Sequence, residues 1–330
     1  MELRFLGKTG VKVSRLAMGC MSFGGDADEA AAAALYGAAR DAGINCFDTA
    51  DVYNEGRAEE ILGRLSAGHA DELVVATKAY FPTGKDANAR GASRYHLVRA
   101  CEASLRRLGR ERVDLFYLHR FDDVTALDET LRAVEDLVRS GKILYPACSN
   151  YAAWQVAHAL GVAAREGWAP LVAVQPMYNL LKRQAEVELL PMAQALGVAA
   201  VTYSPTAGGL LTGKWGTSRR PDSGRMTSNA MYQTRYADPA HLVAADGLCA
   251  IAAELGVHPA ALATAWAAAH PGVTSVLLGA RDVGQLREVL GADTIAMTPE
   301  LRARIGALTP EPPPATDRNE EKSANNYGSR

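Results

Sequence analysis

The sequence predicts an α/β protein: a (β/α)8 TIM barrel with an N-terminal β-hairpin and a long loop after the seventh strand. Three observations carry this. Eight short apolar runs alternate with segments of helical periodicity, which implies an all-parallel sheet covered by helices. The length of 330 residues suits eight such units closing on themselves. No G-x-G-x-x-G turn occurs, whereas the alternative, an open doubly wound sheet, usually carries one for dinucleotides.

The elements follow in order. MELRFLGKTGVKVSRL reads as a hairpin turning at Lys8-Thr9-Gly10. Strands are expected at 14–20, 44–50, 73–78, 114–119, 143–149, 171–176, 199–205 and 275–280, each an apolar run bounded by turn or helix signals. SRYHLVRACEASLRRLG places Leu97, Cys101, Leu105 and Leu108 on one stripe and ends at Gly109. TALDETLRAVEDLVRSGK places Leu127, Leu131, Val134 and Val138 on one face, with Thr125 as N-cap and Gly141 as the stop. Pro146 falls inside the fifth strand, where it removes a ladder donor and predicts a local bulge. From Thr206 to Pro239 the chain is rich in Gly, Ser, Arg and Pro with little periodicity, the signature of a functional or mobile connection. Residues 1–310 are read as one barrel domain, and 311–330, proline-rich and then polar, as an extended or disordered tail.

Composition bounds the partners. Apolar residues at 48% and charged residues at 22% suit a globular enzyme. A net charge of −2 argues against nucleic acid or an anionic membrane as an obligate partner. No apolar run reaches the roughly 18 residues of a membrane-spanning helix, and the N-terminus lacks a signal-peptide core, so a cytoplasmic protein is expected. Five cysteines without a C-x-x-C pair suit buried thiols in a reducing compartment. The seven histidines form no H-x-H or H-E-x-x-H pattern, which argues against a metal centre.

In such a barrel the chemistry sits at the C-terminal ends of the strands. Those ends carry Asp48 after CF, Lys78 after VVAT and His119 after LFYL, with Tyr53 on the loop beyond Asp48. Strands two, three and four thus aim a carboxylate, an ammonium and an imidazole at one spot, with a phenol above it. A phenol is a poor acid at neutral pH, and a nearby ammonium favours phenolate. The carboxylate keeps the lysine charged and fixed, and the imidazole can hydrogen-bond a substrate oxygen. Together they suit proton donation to a carbonyl oxygen as charge develops there.

These residues sit in an ordered series: LGKTGVKVSRLAMGCMSFGG, FDTADVYNEGRAEEILG, VVATK, RVDLFYLHR, SNY, VAVQPMYNLL, TYSPTAGGLLTGKW and LLGARDVGQLREVL. The series resembles the aldo-keto reductase superfamily over residues 2–308, in the style of its bacterial general reductases and potassium-channel β-subunit-like branch. The resemblance implies NADPH-dependent reduction of an aldehyde or ketone, with Tyr53 as proton donor, Lys78 lowering its pKa, Asp48 paired with Lys78, and His119 orienting the carbonyl. It places Ser149, Asn150 and Gln175 on the nicotinamide carboxamide and Tyr203 against the nicotinamide ring. Ser204, Gly209, Leu211 and Lys214 go to the pyrophosphate, and Gly279, Arg281, Gln285 and Glu288 to the adenosine end. Met21, Phe23, Tyr80, Phe81, Arg120, Tyr151 and Trp215 are expected to line an apolar, partly aromatic substrate pocket. Three positions depart from the family pattern: Pro146-Ala147 where a glycine is usual, Val289 for an asparagine near adenine, and Asp282 beside Arg281. An NADPH-holding sensor or auxiliary subunit with little turnover is the alternative to an enzyme.

Overall fold

The N-terminal hairpin closes the bottom of the molecule. In the computed structural model, which describes residues 1–316, 318, 320 and 323, β1 (Leu3–Phe5) pairs antiparallel with β2 (Lys12–Ser14), Arg4 opposite Val13. Leu6 and Val13 are fully buried and pack on residues of the barrel interior, so the hairpin is a plug.

Eight parallel strands form the closed barrel: β3 (Leu16–Gly19), β4 (Cys46–Asp48), β5 (Val74–Ala79), β6 (Val113–Leu118), β7 (Ile143–Ser149), β8 (Ala173–Gln175), β9 (Ala199–Thr202) and β10 (Ser275–Leu278). Each pairs with its sequence neighbours, and β10 returns to β3. The ring outside comprises α1 (Glu29–Asp41), α2 (Arg57–Ser66), α3 (Arg94–Leu108), α4 (Leu127–Arg139), α5 (Ala153–Glu166), α6 (Leu189–Leu196), α9 (Ala240–Leu255), α10 (Pro259–Ala268) and α11 (Val283–Leu290). α7 (Arg225–Ser228) and α8 (Ala230–Arg235) lie in the connection after β9, and α12 (Pro299–Gly306) follows the barrel.

The pleat sorts the strand residues into two cores. Outward-facing Phe47, Val75, Phe116, Val174 and Val276 pack under the helices. Inward-facing Ala17, Cys46, Ala76, Leu115, Tyr117, Ala147, Ala173, Val201 and Leu277 fill the barrel. Small side chains on most strands leave room for Tyr117, which is 1% exposed. Helix packing is close: a Cβ at Gly63 of α2 would stand 2.5 Å from the carbonyl oxygen of Leu108 at the end of α3.

The predicted stripe of α3 is buried at Leu97, Cys101, Leu105 and Leu108, and the helix stops at Gly109 with φ 63°. α4 departs from expectation at its start. Its N-cap is Ala126, and the Thr125 hydroxyl instead donates to Asp122 at 2.7 Å. Asp122 also accepts the N–H groups of Ala92 and Val124, so this carboxylate gathers the local donors and draws the threonine away from the helix. Pro146 makes no bulge: β6 and β7 stay in even register from Val113↔Ile143 to Leu118↔Cys148. The proline carbonyl accepts from Val172 N at 2.9 Å, and β8 begins only at Ala173, so the missing donor falls where that ladder has barely started. The connection 206–239 is partly helical, with a 3₁₀ turn at Ala207–Gly209 before α7 and α8. The tail predicted from 311 onward falls largely outside the described residues. Among the described residues, no single helix is long and apolar enough to cross a membrane.

Candidate active site

The alternation that fills the barrel also builds the site. Two residues beyond an inward-facing core residue on each strand come Gly19, Asp48, Lys78, His119, Ser149, Gln175, Tyr203 and Gly279. A period of two puts all of them on the inner face at the C-terminal mouth. All except Lys78 line a cavity of about 450 Å³, which also takes in Tyr53.

Lys78 lies beneath that cavity, fully buried. Its Nζ donates to Asp48 Oδ1, to the carbonyl of Thr49 at 2.7 Å and to the Tyr53 hydroxyl at 3.5 Å. The other Asp48 oxygen accepts Gln175 Nε2 at 2.9 Å. Both charges are therefore paired and hydrogen-bonded, the condition under which buried ions are tolerated. Burial alone would push the Lys78 ammonium down, but Asp48 and Tyr53 outweigh it and hold its pKa above the ordinary value. Burial raises the Tyr53 phenol, and the Lys78 ammonium opposes that rise without reversing it. The lysine thus acts in the expected direction, but the net shift of the phenol is upward.

The Tyr53 loop is held in place from two sides. Tyr53 N donates to Ala50 O at 3.1 Å, and Asn54 Nδ2 reaches the carbonyls of Met21 at 2.9 Å and Phe23 at 2.8 Å on the neighbouring loop. His119 meets Tyr53 edge-on at 5.9 Å between centroids and Phe81 at 4.8 Å. Burial, with the Lys78 charge adding to it, drives the His119 pKa down to about 2, so the imidazole is neutral at any working pH. It offers one N–H and one lone pair, and its Nδ1 is buried without a protein partner.

Next to these lies an amide and hydroxyl network. Ser149 Oγ donates to Gln175 O at 3.0 Å, Asn150 Nδ2 donates to His119 O at 3.0 Å, and Tyr203 OH donates to Asn150 Oδ1 at 2.7 Å. Beyond Tyr203 the backbone turns left-handed at Ser204, Ala207, Gly208 and Gly209. Gly208 has no room for a side chain, since a Cβ would stand 2.5 Å from the Tyr232 ring. Gly209 and Gly279 line the cavity with no heavy atom within 4 Å of where a Cβ would be, leaving bare backbone toward the open space.

A match to the Aldo/keto reductase family model spans residues 15–309. The chain belongs to the aldo/keto reductase family. It is accordingly an oxidoreductase of a family that typically works with a nicotinamide cofactor. It is 37% identical to an uncharacterized oxidoreductase, YrpG, of Bacillus subtilis (strain 168), over 94% of this chain and 97% of the relative. It is 38% identical to a probable voltage-gated potassium channel subunit beta of Oryza sativa subsp. japonica, over 96% and 99%, and 38% identical to one of Arabidopsis thaliana, over 88% and 91%.

For this aldo/keto reductase the remaining expected residues divide into two groups. Met21, Phe81, Trp215, Ser204, Lys214, Arg281, Gln285 and Glu288 line the cavity. Asp282 caps α11, accepting Gln285 N at 2.9 Å, while Gln285 returns its Oε1 to Arg281 N at 3.2 Å. Glu288 stands 3.7 Å from His258 Nε2. Five residues expected at the site do not line it. Phe23 and Leu211 are buried at 0% and 1% exposure, because each packs into the main hydrophobic core. Tyr151 packs edge-on against Phe121 at 5.2 Å, Tyr80 packs on the core beside Phe81, and Arg120 points to solvent past the strand end. The sequence reading missed Arg225, Met231, Tyr232 and Arg235, which come over the cavity from α7 and α8. Their one signal was their place in a connection too long to be idle.

Proposed function

We propose that this protein is an NADPH-dependent reductase of aldehydes or ketones. The observation that carries the reading is the buried Asp48–Lys78–Tyr53 chain, with a neutral His119 beside it, at the floor of a lined cavity. The residues present fit a dinucleotide: amides and hydroxyls at Ser149, Asn150 and Gln175, a phenol ring at Tyr203, bare backbone at Gly209 and Gly279, and cations at Lys214 and Arg281. When bound, the nicotinamide supplies the hydride for the carbonyl carbon.

The chain's residues do the rest. His119 and the Tyr53 hydroxyl face the same part of the cavity, so both can hydrogen-bond one carbonyl oxygen. As charge builds on that oxygen, Tyr53 passes it the phenolic proton. The Lys78 ammonium stabilises the phenolate left behind, and Asp48, anchored by Gln175, keeps the ammonium in place. Gathered on strand ends and on a loop that Asn54 ties down, these groups need little reorganisation. The Tyr53 phenol, raised by burial, stays protonated to higher pH than a free one, so reduction is expected to fall only on the alkaline side. A cytoplasmic setting agrees with five unpaired cysteines.

The test is NADPH oxidation by the purified protein across aldehydes, ketones, quinones and sugar-derived carbonyls. Turnover at roughly 1 per second or faster on any of them supports the enzyme. The similarity to potassium channel β-subunits favours the second reading, an NADPH-holding auxiliary protein. Tight NADPH binding with turnover far below about 0.1 per second on every carbonyl would favour that one instead.

A further inference from the structure

Four cations line the cavity: Lys214, Arg225, Arg235 and Arg281. Under the reductase reading, Lys214 and Arg281 go to the phosphates of the cofactor. Arg225 Nη1 donates to the Tyr232 hydroxyl at 3.3 Å. Arg219, on the same connection, is neutralised by Asp246 at 2.7 Å. Arg235 shares the Tyr232 ring with Arg225 but, among the described residues, donates to no oxygen. It is half-buried, and among the described residues no carboxylate lies within ion-pair distance of it. Its one side-chain hydrogen bond is a weak contact to Met231 Sδ at 3.5 Å.

Its platform is well defined. The guanidinium lies 5.2 Å from the centre of the Tyr232 ring, and that ring is seated against Gly208. Arg235 also acts on the inner end of the cavity. Burial raises the Tyr203 phenol, and the Arg235 guanidinium is the main opposing pull on it. Tyr203 in turn bonds Asn150, whose amide holds the backbone of His119. A guanidinium partly withdrawn from water, stacked on an aromatic ring and without an acid, is arranged to take an anion in forked geometry.

We infer that Arg235 makes the enzyme selective for carbonyl substrates that carry a carboxylate, held by the guanidinium while Tyr53 and His119 meet the carbonyl oxygen. This rests on the reductase reading. The carboxylate takes no part in the redox step: the carbonyl gains a hydride and a proton, and the acid group leaves unchanged.

The test compares 4-formylbenzoate with its methyl ester, which keeps the ring and loses the charge. In the wild type, kcat/KM for the acid should exceed that for the ester by about tenfold or more, as a hydrogen bond to a charged group allows. Arg235→Met keeps the stem on Tyr232 and should bring the ratio close to one, mainly by raising KM for the acid. Arg235→Lys should restore part of it. NADPH affinity of both variants, by fluorescence titration, should stay within about twofold, well under the effect of losing one charged hydrogen bond. A wild type that prefers the ester, or a ratio untouched by Arg235→Met, overturns the inference. So does a large loss of NADPH affinity, which would give Arg235 to the cofactor. A binding arm separates this from failure of the reductase reading. Calorimetry on the NADP⁺ complex should show 4-(hydroxymethyl)benzoate binding more tightly than its methyl ester, and Arg235→Met should abolish the difference. If no carbonyl is turned over, the reductase reading falls, and this arm alone decides for or against Arg235.

Discussion

The cavity has two ends built by different rules. At the inner end every polar group sits on a strand or just past one, and Asp48, Lys78 and Gln175 satisfy one another within the barrel. At the outer end the residues come from the 206–239 connection and the start of α11, and Lys214, Arg225, Arg235 and Arg281 stand among few acids. The charged pair of the inner end is satisfied within the barrel, whereas the outer end carries a surplus of positive charge. Substitutions inside should therefore cost chemistry and stability together. Substitutions outside should cost binding and leave the fold alone.

Lys78→Met tests the inner end hardest. It removes the ammonium that supports the Tyr53 phenolate and leaves Asp48 buried with Gln175 alone. Turnover should be lost, and stability should drop by roughly 3–5 kcal/mol, the cost of breaking a buried pair. Denaturant titration with a steady-state assay reads both. A stable, active variant would erase the distinction between the two ends. Tyr53→Phe should separate the two costs. It keeps the ring against His119 and removes one hydroxyl, so folding and NADPH binding should persist while reduction falls by roughly 10²–10⁴-fold. More than about a tenth of wild-type turnover would take the proton donor's role from Tyr53.

The outer end gives a smaller, purely binding effect. Asp282 is held as the cap of α11, so its charge is tied to backbone, and under the proposed reading Arg281 would meet a 2′-phosphate. NADPH should bind more tightly than NADH, and Arg281→Ala should cut that preference by on the order of 1.5 kcal/mol, with no change in melting temperature. Fluorescence titration of both cofactors at fixed salt checks this. Equal affinities in the wild type would mean that the adenosine end is read by other residues.

The same contrast explains what was legible in the sequence. Strand periodicity alone carries a residue from the packed interior to the mouth two positions later. Asp48, Lys78 and His119 could therefore be placed together from apolar runs and their last polar residue, while Gln175 came only with the family resemblance. Phe23, Tyr80, Arg120 and Tyr151 were misplaced because they lie on loops, where no period says which way a side chain turns. Tyr232 and Arg235 went unseen for the same reason, although they fold into a helix that a sequence so rich in Gly, Ser and Arg hides. Thr125 lost its capping role to a local competitor, Asp122, three residues before it. Pro146 was accommodated because β8 starts late beside it.

Beside His119, whose Nδ1 has no protein partner, an inner carboxylate also breaks the rule of mutual satisfaction and yields the subtlest prediction. Asp51 lies three positions past Asp48, at 3% exposure, with neither carboxylate oxygen bonded. Its neighbour Glu59 takes the local donors, Thr77 Oγ1 at 2.5 Å and Arg107 Nε at 2.6 Å. Burial first, and then the Glu59 charge, push the Asp51 pKa up to about 7, with Arg107, the Val52 backbone N–H and Lys78 pulling the other way. The folded state thus holds a proton on Asp51 that the unfolded chain releases near pH 4. Stability from the protonated acid is fully present below about pH 4 and is lost as pH rises through about 7, at up to ~1.4 kcal/mol per pH unit. Asp51→Asn mimics the neutral acid at every pH. Relative to wild type it should gain little at pH 4 and on the order of 1 kcal/mol or more at pH 8. Urea titrations at the two pH values measure the difference. A gain that is the same at both would show that Asp51 is ionised in the folded protein and has found a partner, which would return it to the rule that governs Asp48.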